Sequence, residues 1–482
     1  MNTLAATPGN RREDDAVTHC TDRTARGRLV GVDAAGSLLL TDLYQLTMLE
    51  AYLERGLTGT AVFELFVRKL PERRGFLMAA GLEQALDFLE AVRASPAELD
   101  WLRDSGRFKP TTIDWLAGFR FTGDVDAISE GTVFFHDEPV LRVAAPLPMA
   151  QLVETRLMNI MHFQTLIASR AARMVLAAPG KRLVDFGLRR AHGAEAGLMA
   201  ARAAYVAGFN ATATALAGAL WDIPVSGTMA HSFVQAFDDE AEAFEAFARA
   251  RPEGVTLLLD TYDTEAAARK VVALAPRLAA DGIRVSSVRL DSGDLAALAA
   301  SVRRILDDGG LKDVTIFASG GLDEDDLLAF ARAHAPIDGY GVGASLTTSS
   351  DAPVLDCAYK LQEFAGLARR KLSPGKATWP GPKQVWRKHR PDGRMAGDIL
   401  STSDDVHEGQ PLLAPVMRAG RRLGATPSLA EIRKRAAGDL SRLPPALRRL
   451  EAAAYPVQVA GRLRRLADEV DQRLARQEEA PA

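Results

Sequence analysis

Between residues 182 and 343 the chain alternates short aliphatic runs with alanine-rich helical stretches, and most of the runs close on a polar residue or glycine. The runs are Arg182-Leu-Val-Asp-Phe186, Ile223-Pro-Val-Ser226, Val255-Thr-Leu-Leu-Leu-Asp260, Val285-Ser-Ser-Val-Arg-Leu-Asp291, Val314-Thr-Ile-Phe-Ala318 and Ile337-Asp-Gly-Tyr-Gly341. Strands and helices in that rhythm require parallel pairing with crossover helices, because parallel neighbours cannot be joined by a tight turn. In a β/α barrel the carboxyl ends of the strands form the face where chemistry is done. The residues at the ends of these runs are Asp185, Gly227, Asp260, Asp291, Ser319 and Gly341, and they are the first candidates for function.

The flanking segments read differently. Residues 1–36 are polar and are expected to form a disordered leader, without the apolar core of a secretory signal. Residues 37–153 predict a mixed α+β domain with a small antiparallel sheet. It has a helix entered at Thr41-Asp42, a strand over Thr60–Arg68, a helical span over Gly75–Val92, and short strands after Trp115. A barrel over 154–366 opens with a long helix, Glu154–Leu176. Residues 367–482 form a basic, turn-rich C-terminal region expected to pack partly on the N-terminal domain and to end in a helix from about Pro444 to Gln477.

Composition narrows the function class. There are 59 basic against 62 acidic residues, a net charge of −3, so no nucleic-acid footprint is present and any anion must be held by local groups. No run reaches the ~18 apolar residues of a membrane span, so no membrane partner is expected. Two cysteines, Cys20 and Cys357, support neither a disulfide framework nor a multi-cysteine zinc site, which fits a cytoplasmic protein.

Several constellations at the strand ends could carry chemistry. His231, in Ser226-Gly-Thr-Met-Ala-His-Ser232, follows a strand and opens a helix, where it could act as acid, base or phosphoryl acceptor, or be a structural histidine. Asp260-Thr-Tyr-Asp263 and Arg289-Leu-Asp-Ser-Gly-Asp294 put carboxylates at successive strand ends. These could bind Mg²⁺ with a polyphosphate, steady a cationic transition state or orient a histidine, while Asp263 and Asp294 read equally well as helix N-caps. Ala318-Ser319-Gly320-Gly321-Leu322 and Gly339-Tyr-Gly341-Val-Gly343 place glycine loops at the last two strands, as a phosphate cradle needs. Asp185-Phe186-Gly187-Leu188-Arg189-Arg190 sets an aromatic face beside guanidinium groups, suited to a flat ring next to an anion, or to a core Phe with surface arginines.

These residues resemble the nicotinate phosphoribosyltransferase family. The resemblance is carried, in order, by Thr41-Asp-Leu-Tyr-Gln-Leu-Thr-Met48, Phe63-Glu-Leu-Phe-Val-Arg-Lys-Leu-Pro71, Ala80-Gly-Leu-Glu83 and Phe186-Gly-Leu-Arg-Arg190. It continues through Gly227-Thr-Met-Ala-His-Ser232, Asp260–Asp263, Arg289–Asp294, Ser350-Asp-Ala-Pro353 and Tyr359-Lys-Leu361. It implies an α/β fold: an irregular β/α barrel plus a discontinuous N-terminal α+β domain, usually in a homodimer. The implied enzyme forms the C–N bond of nicotinate mononucleotide from nicotinate and 5-phosphoribosyl 1-diphosphate, with ATP as co-substrate and Mg²⁺ on the diphosphate, at the entry to NAD salvage.

The same resemblance implies residue roles. Phe186 and Arg289 are expected to sandwich the pyridine, with Tyr44 supplied across the dimer interface and Thr228 on nicotinate. Arg68, Lys69, Arg189 and Lys360 are expected at phosphate or diphosphate, the first two from the partner. Asp260 is expected to orient His231, the phosphorylated residue. Asp291 should face the ribose or the metal, with Asp294 as a further metal candidate. Ser319, Gly320, Gly321, Gly341 and Gly343 are expected to cradle the 5′-phosphate.

Some positions depart from the family. Ala344 stands where a Thr is usual, with Ser345 able to replace its hydroxyl, and Ser319-Gly320 differs from the common Ser-Asn. Ala213, in Phe209-Asn-Ala-Thr-Ala-Thr214, occupies the place of an aspartate that reads the amide in nicotinamide enzymes, so the expected substrate is nicotinate. The competing readings are a nicotinamide or quinolinate phosphoribosyltransferase, and a catalytically silent paralogue that binds pyridine nucleotides.

Overall fold

The computed structural model describes residues 36–479; apart from Gly36, the expected leader lies outside it, as does Cys20. The strands gather into a seven-stranded antiparallel sheet, a six-stranded parallel sheet, a four-stranded sheet and a two-stranded ribbon. The parallel sheet runs Ala211–Thr212, Arg182–Asp185, Gly339–Val342, Thr315–Ala318, Val285–Leu290, Val255–Leu258, an incomplete barrel curled around one core. Its strands are followed by helices, among them Ala194–Ala207, Thr264–Ala280, Leu295–Asp308 and Glu324–Arg332. This is the β/α alternation that the sequence predicts.

Alanine explains how tightly the barrel wall closes. Ala168, Ala171 and Ala172 of helix Glu154–Ala177 and Ala200, Ala203, Ala204 and Ala207 of helix Ala194–Ala207 are all buried. Side chains this small let helix axes approach closely at no cost in side-chain entropy. Asp263, Asp294 and Asp323 start three of the outer helices by accepting backbone N–H groups of the first turn.

The seven-stranded sheet is assembled from both ends of the chain. Strand Thr60–Val67 pairs with Pro139–Pro146 on one side and with Cys357–Phe364 on the other. Strand Asp124–Ile128 pairs with Leu413–Arg418 from the C-terminal region. Buried ion pairs join the parts. Glu64 Oε2 meets Lys383 Nζ at 2.7 Å, and Arg74 reaches Asp351 at 2.7 Å. Asp351 is shared with Arg170, and Glu324 is held by Arg170 and Arg173, all of them nearly inaccessible. Removing one partner of such a pair strands a buried charge, at a cost of about 3–5 kcal/mol.

Three expected elements differ. The span Gly75–Val92 is not one helix: Leu77–Met78 pairs as a strand with Val133–Phe134, and the helix starts only at Leu82. Gly81 makes the break with φ +98°, where a Cβ would lie 2.9 Å from the Ile160 carbonyl. Ile223–Ser226 contributes a single bridge, Thr212 to Val225, because Pro224 has no N–H to extend the ladder. The terminal helix begins at Gly461, after a short turn at Pro445–Arg448 and a strand at Val457–Val459. No helix among the described residues is long and apolar enough to cross a membrane.

Candidate active site

The strand ends converge on Arg289, whose side chain is only 11% exposed. Its Nε donates to Ser319 Oγ at 3.0 Å, Nη1 to Thr228 Oγ1 at 3.0 Å and the Met229 carbonyl at 3.1 Å, and Nη2 to Asp291 Oδ1 at 3.0 Å. A planar fork held on three nitrogens has no rotational freedom left. Its Cζ stands 5.7 Å from the centroid of the Phe186 ring. The ring itself lies over Gly341, and a glycine is required there: an added Cβ would meet the ring carbons at 2.4 and 2.5 Å. Phe186, Thr228 and Arg289 are therefore brought together, from separate strands and loops.

Asp291 is the charged centre of the group. Its Oδ1 also accepts the Ser319 hydroxyl, while its Oδ2 stands 3.8 Å from His231 Nε2. Burial pushes its carboxyl up, but the Ser319 hydroxyl, Arg289 and His231 together hold it below the ordinary value. It stays ionised, as stabilisation of positive charge requires.

His231 opens the short helix His231–Gln235, and its Nδ1 lies 3.2 Å from Thr261 Oγ1. The expected partner, Asp260, does not make that contact. Its Oδ2 accepts from the Asp291 N–H at 3.1 Å and from Ser292 Oγ at 2.5 Å. Asp260 therefore fixes the Asp291 loop, and the hydroxyl one residue further on orients the histidine. Thr261 was within reach of the sequence reading, as part of Asp260-Thr-Tyr-Asp263, but nothing in the pattern distinguishes a contact made by one side chain from one made by its neighbour.

Two further expectations change. Ser319 is buried and commits its hydroxyl to Asp291 and Arg289, so that hydroxyl is already engaged within the cluster. Gly320 and Gly321 adopt φ +107° and +74°, and a Cβ on Gly320 would fall 1.9 Å from the Asp291 carbonyl, so the two loops interlock. Asp294 Oδ1 caps helix Leu295–Asp308 through the Ala297 N–H, and no hydrogen bond or ion pair joins it to Asp291 or His231. That geometry favours the cap over the metal ligand. Ser345 donates to the Leu322 carbonyl, so its hydroxyl proton is already engaged.

The remaining candidates lie outside this cluster. Tyr44 is 46% exposed on helix Leu43–Glu54, between exposed Leu40 and Leu43 and the buried Glu154. Lys360 Nζ is 4.0 Å from Glu154 Oε1, and Arg68 pairs with Asp356 at 2.8 Å. Lys69 and Arg189 are exposed and make no ion pair with the described residues. Ala213 is exposed and lies beside the cluster's first strand, donating its N–H to the Asp185 carbonyl at 2.8 Å.

Among the described residues no three His, Cys, Asp or Glu side chains form a metal cage. Asp260 Oδ1 is nevertheless buried without a hydrogen-bond partner, and Asp291 Oδ2 has only the distant His231. One or two such oxygens suit Mg²⁺ that arrives with phosphate oxygens and water. A separate cavity of about 770 Å³, walled partly by Phe88, Phe163, Met199 and Trp221, contains none of these residues. The convergent polar groups are at the strand ends.

The chain has known relatives over most of its length. Descriptions of the nicotinate phosphoribosyltransferase family match the chain in three parts: the N-terminal domain over 39–162, the family's central segment over 181–366, and its C-terminal domain over 405–467. A nicotinate phosphoribosyltransferase of Mycobacterium tuberculosis is 50% identical over 428 residues, 88% of this chain and 92% of its own. One from Bacillus subtilis is 39% identical over 375 residues, 76% of each chain. The crystal structure of human nicotinic acid phosphoribosyltransferase superimposes with a TM-score of 0.80 at 31% identity, over 89% of this chain and 100% of that one. Matched over its N-terminal, central and C-terminal parts, the chain belongs to the nicotinate phosphoribosyltransferase family.

Proposed function

We propose that this enzyme joins nicotinate to 5-phosphoribosyl 1-diphosphate, forming nicotinate mononucleotide and diphosphate in NAD salvage. The observation that carries this reading is Arg289, fixed by Thr228, Ser319 and Asp291 with its Cζ over the Phe186 ring, 5.7 Å from the centroid, two flat groups that a pyridine would enter by parting them. The pyridine nitrogen has its own lone pair, so no base is needed to activate it. As the N–C1′ bond forms, the C1′–O bond to diphosphate breaks and the bonding pair leaves with diphosphate. The chain holds the ring in line through Phe186, Arg289 and Thr228, and places the Asp291 carboxylate where positive charge develops on the ribose. Gly321 and Gly343 leave room for the 5′-phosphate near backbone N–H groups, while the space beside Gly320 and Gly341 is filled by the Asp291 carbonyl and the Phe186 ring. Mg²⁺ bound with the diphosphate near Asp260 and Asp291 would neutralise the leaving charge.

The proposal extends to ATP and to a second subunit. With Nδ1 engaged by the Thr261 hydroxyl at 3.2 Å, Nε2 is the nitrogen of His231 that would accept the phosphoryl group. A phosphohistidine beside Asp291 adds negative charge at the diphosphate end, and its formation and hydrolysis change affinities through the cycle. Tyr44, Arg68 and Lys69, which make no hydrogen bond or ion pair with their own chain's cluster, would complete the site of a partner in a homodimer. The setting we propose is the cytoplasm, where ATP and phosphoribosyl diphosphate are available.

The test is diphosphate release with nicotinate or nicotinamide, each with and without ATP. Nicotinate-dependent release that ATP stimulates is expected. Absence of release with nicotinate would overturn the reading in favour of a silent paralogue.

A further inference from the structure

Asp185 closes strand Arg182–Asp185 directly before Phe186, yet the chemistry above gives it no task. Its side chain is a buried carboxylate, 1% exposed, with no cation paired to it among the described residues. Leaving such a group in a protein interior is costly unless its hydrogen bonds do something an uncharged residue could not. Asp185 Oδ1 accepts the Gly187 N–H at 2.8 Å, and Oδ2 accepts the Thr212 hydroxyl at 2.7 Å. Thr212 Oγ1 in turn accepts the Thr214 N–H at 3.0 Å, and the Asp185 carbonyl accepts the Ala213 N–H at 2.8 Å.

One residue thus ties together the turn that carries Phe186 and the loop that carries Ala213. The turn has no slack on its other side either, since a Cβ on Gly187 would lie 2.0 Å from Thr347 Cγ2. Burial pushes the Asp185 carboxyl up, and the Thr212 hydroxyl and Gly187 N–H act against that, so both bonds matter to its charge state.

We propose that Asp185 is a positioning residue that locks the Phe186 turn to the Thr212–Thr214 loop and thereby sets the width and selectivity of the pyridine slot. The inference rests on the reading that Phe186 and Ala213 face nicotinate.

The experiment compares D185A, D185N and T212V with the wild type, varying nicotinate, nicotinamide and phosphoribosyl diphosphate separately and recording thermal melts. D185A removes the acceptor for both Gly187 and Thr212 and should raise KM for nicotinate at least about tenfold, the scale of hydrogen bonds lost. KM for phosphoribosyl diphosphate should move less than about twofold, and the nicotinate-to-nicotinamide ratio should fall. D185N should recover part of the loss, because its amide oxygen can still accept from Gly187. T212V should shift the substrate ratio more than KM. Should D185A not fold, D185N and T212V carry the same comparison. An unchanged KM for nicotinate in folded variants, or equal loss for both substrates, would overturn the assignment while leaving the activity standing. A wild type without nicotinate-dependent turnover would overturn both.

Discussion

Phe186 and Gly341 are in direct contact across neighbouring parallel strands, with no room between them for a methyl group. Phe186 can therefore reach its place opposite Arg289 only if residue 341 has no side chain. Gly341→Ala should displace the ring and lower kcat/KM for nicotinate by about 10²-fold, as ångström-scale misplacement does. Gly343→Ala should leave Phe186 in place, since its Cβ would meet the Phe186 carbonyl oxygen at an ordinary 3.4 Å, and should act on KM for phosphoribosyl diphosphate rather than on nicotinate. Steady-state kinetics on the two variants side by side check this, and equal effects would refute it.

His231→Ala should abolish labelling by γ-labelled ATP while measurable ATP-independent transfer remains, because the substrate supplies the nucleophile. The label on the wild type should be acid-labile and base-stable. Persistent label in the alanine variant would place the phosphoryl group elsewhere. Thr261→Val should slow labelling without abolishing it, through loss of the hydroxyl at 3.2 Å from Nδ1.

Substrate choice turns on charge. Ala213 is exposed, so Ala213→Asp can be accommodated without repacking. A carboxylate there should reduce kcat/KM for nicotinate by about 10²-fold and spare nicotinamide, because only one of the two substrates is an anion. The wild type should prefer nicotinate by a similar factor. Competition kinetics measure both quantities.

Shared sites predict complementation. Tyr44→Ala and Asp291→Ala chains, each inactive alone, should recover part of the activity when mixed, since a hybrid dimer contains one intact site. Failure to recover, with subunit exchange demonstrated, would exclude the arrangement.

Glu138 gives a pH signature of stability. It is wholly buried, its Oε2 accepting the Phe135 N–H at 2.8 Å. Burial pushes its carboxyl well above the ordinary 4.5, Asp398 adding to the shift and Arg387 opposing it. A folded-state pKa raised in this way contributes stability that is complete below the ordinary value and is lost as pH rises toward the folded one. From about pH 4.5 upward the wild type should therefore lose up to ~1.4 kcal/mol per pH unit relative to Glu138→Gln. Tm measured for both proteins between pH 5 and 8 checks this, and a difference that stays constant across the range would refute it.

The barrel was legible because most of its strands close on a residue that packing does not need: a carboxylate, a serine or a glycine at the end of an aliphatic run stands out. That pattern drew attention to the segments around Phe186, His231, Arg289 and Asp291, and the family resemblance supplied their expected roles. Links between loops were not legible. Whether His231 meets Asp260 or Thr261, and whether the Ser319 hydroxyl is free or engaged within the cluster, depends on rotamers and loop paths that no residue pattern encodes. Leu77–Met78 was misread because a run buried on all sides has no periodicity by which to tell strand from helix.

The Glu64–Lys383 contact has a consequence for how the protein is made. Glu64 also accepts the Lys383 backbone N–H, which lies 319 residues further along the chain. At ~5–20 residues per second, ribosomal synthesis separates the two by a time on the order of tens of seconds. Throughout that interval the first strand has one edge open and a buried carboxylate without its cation. The barrel, whose last strand ends at Val342, can close before the domain that precedes it, so strand Thr60–Val67 is made early and enclosed late.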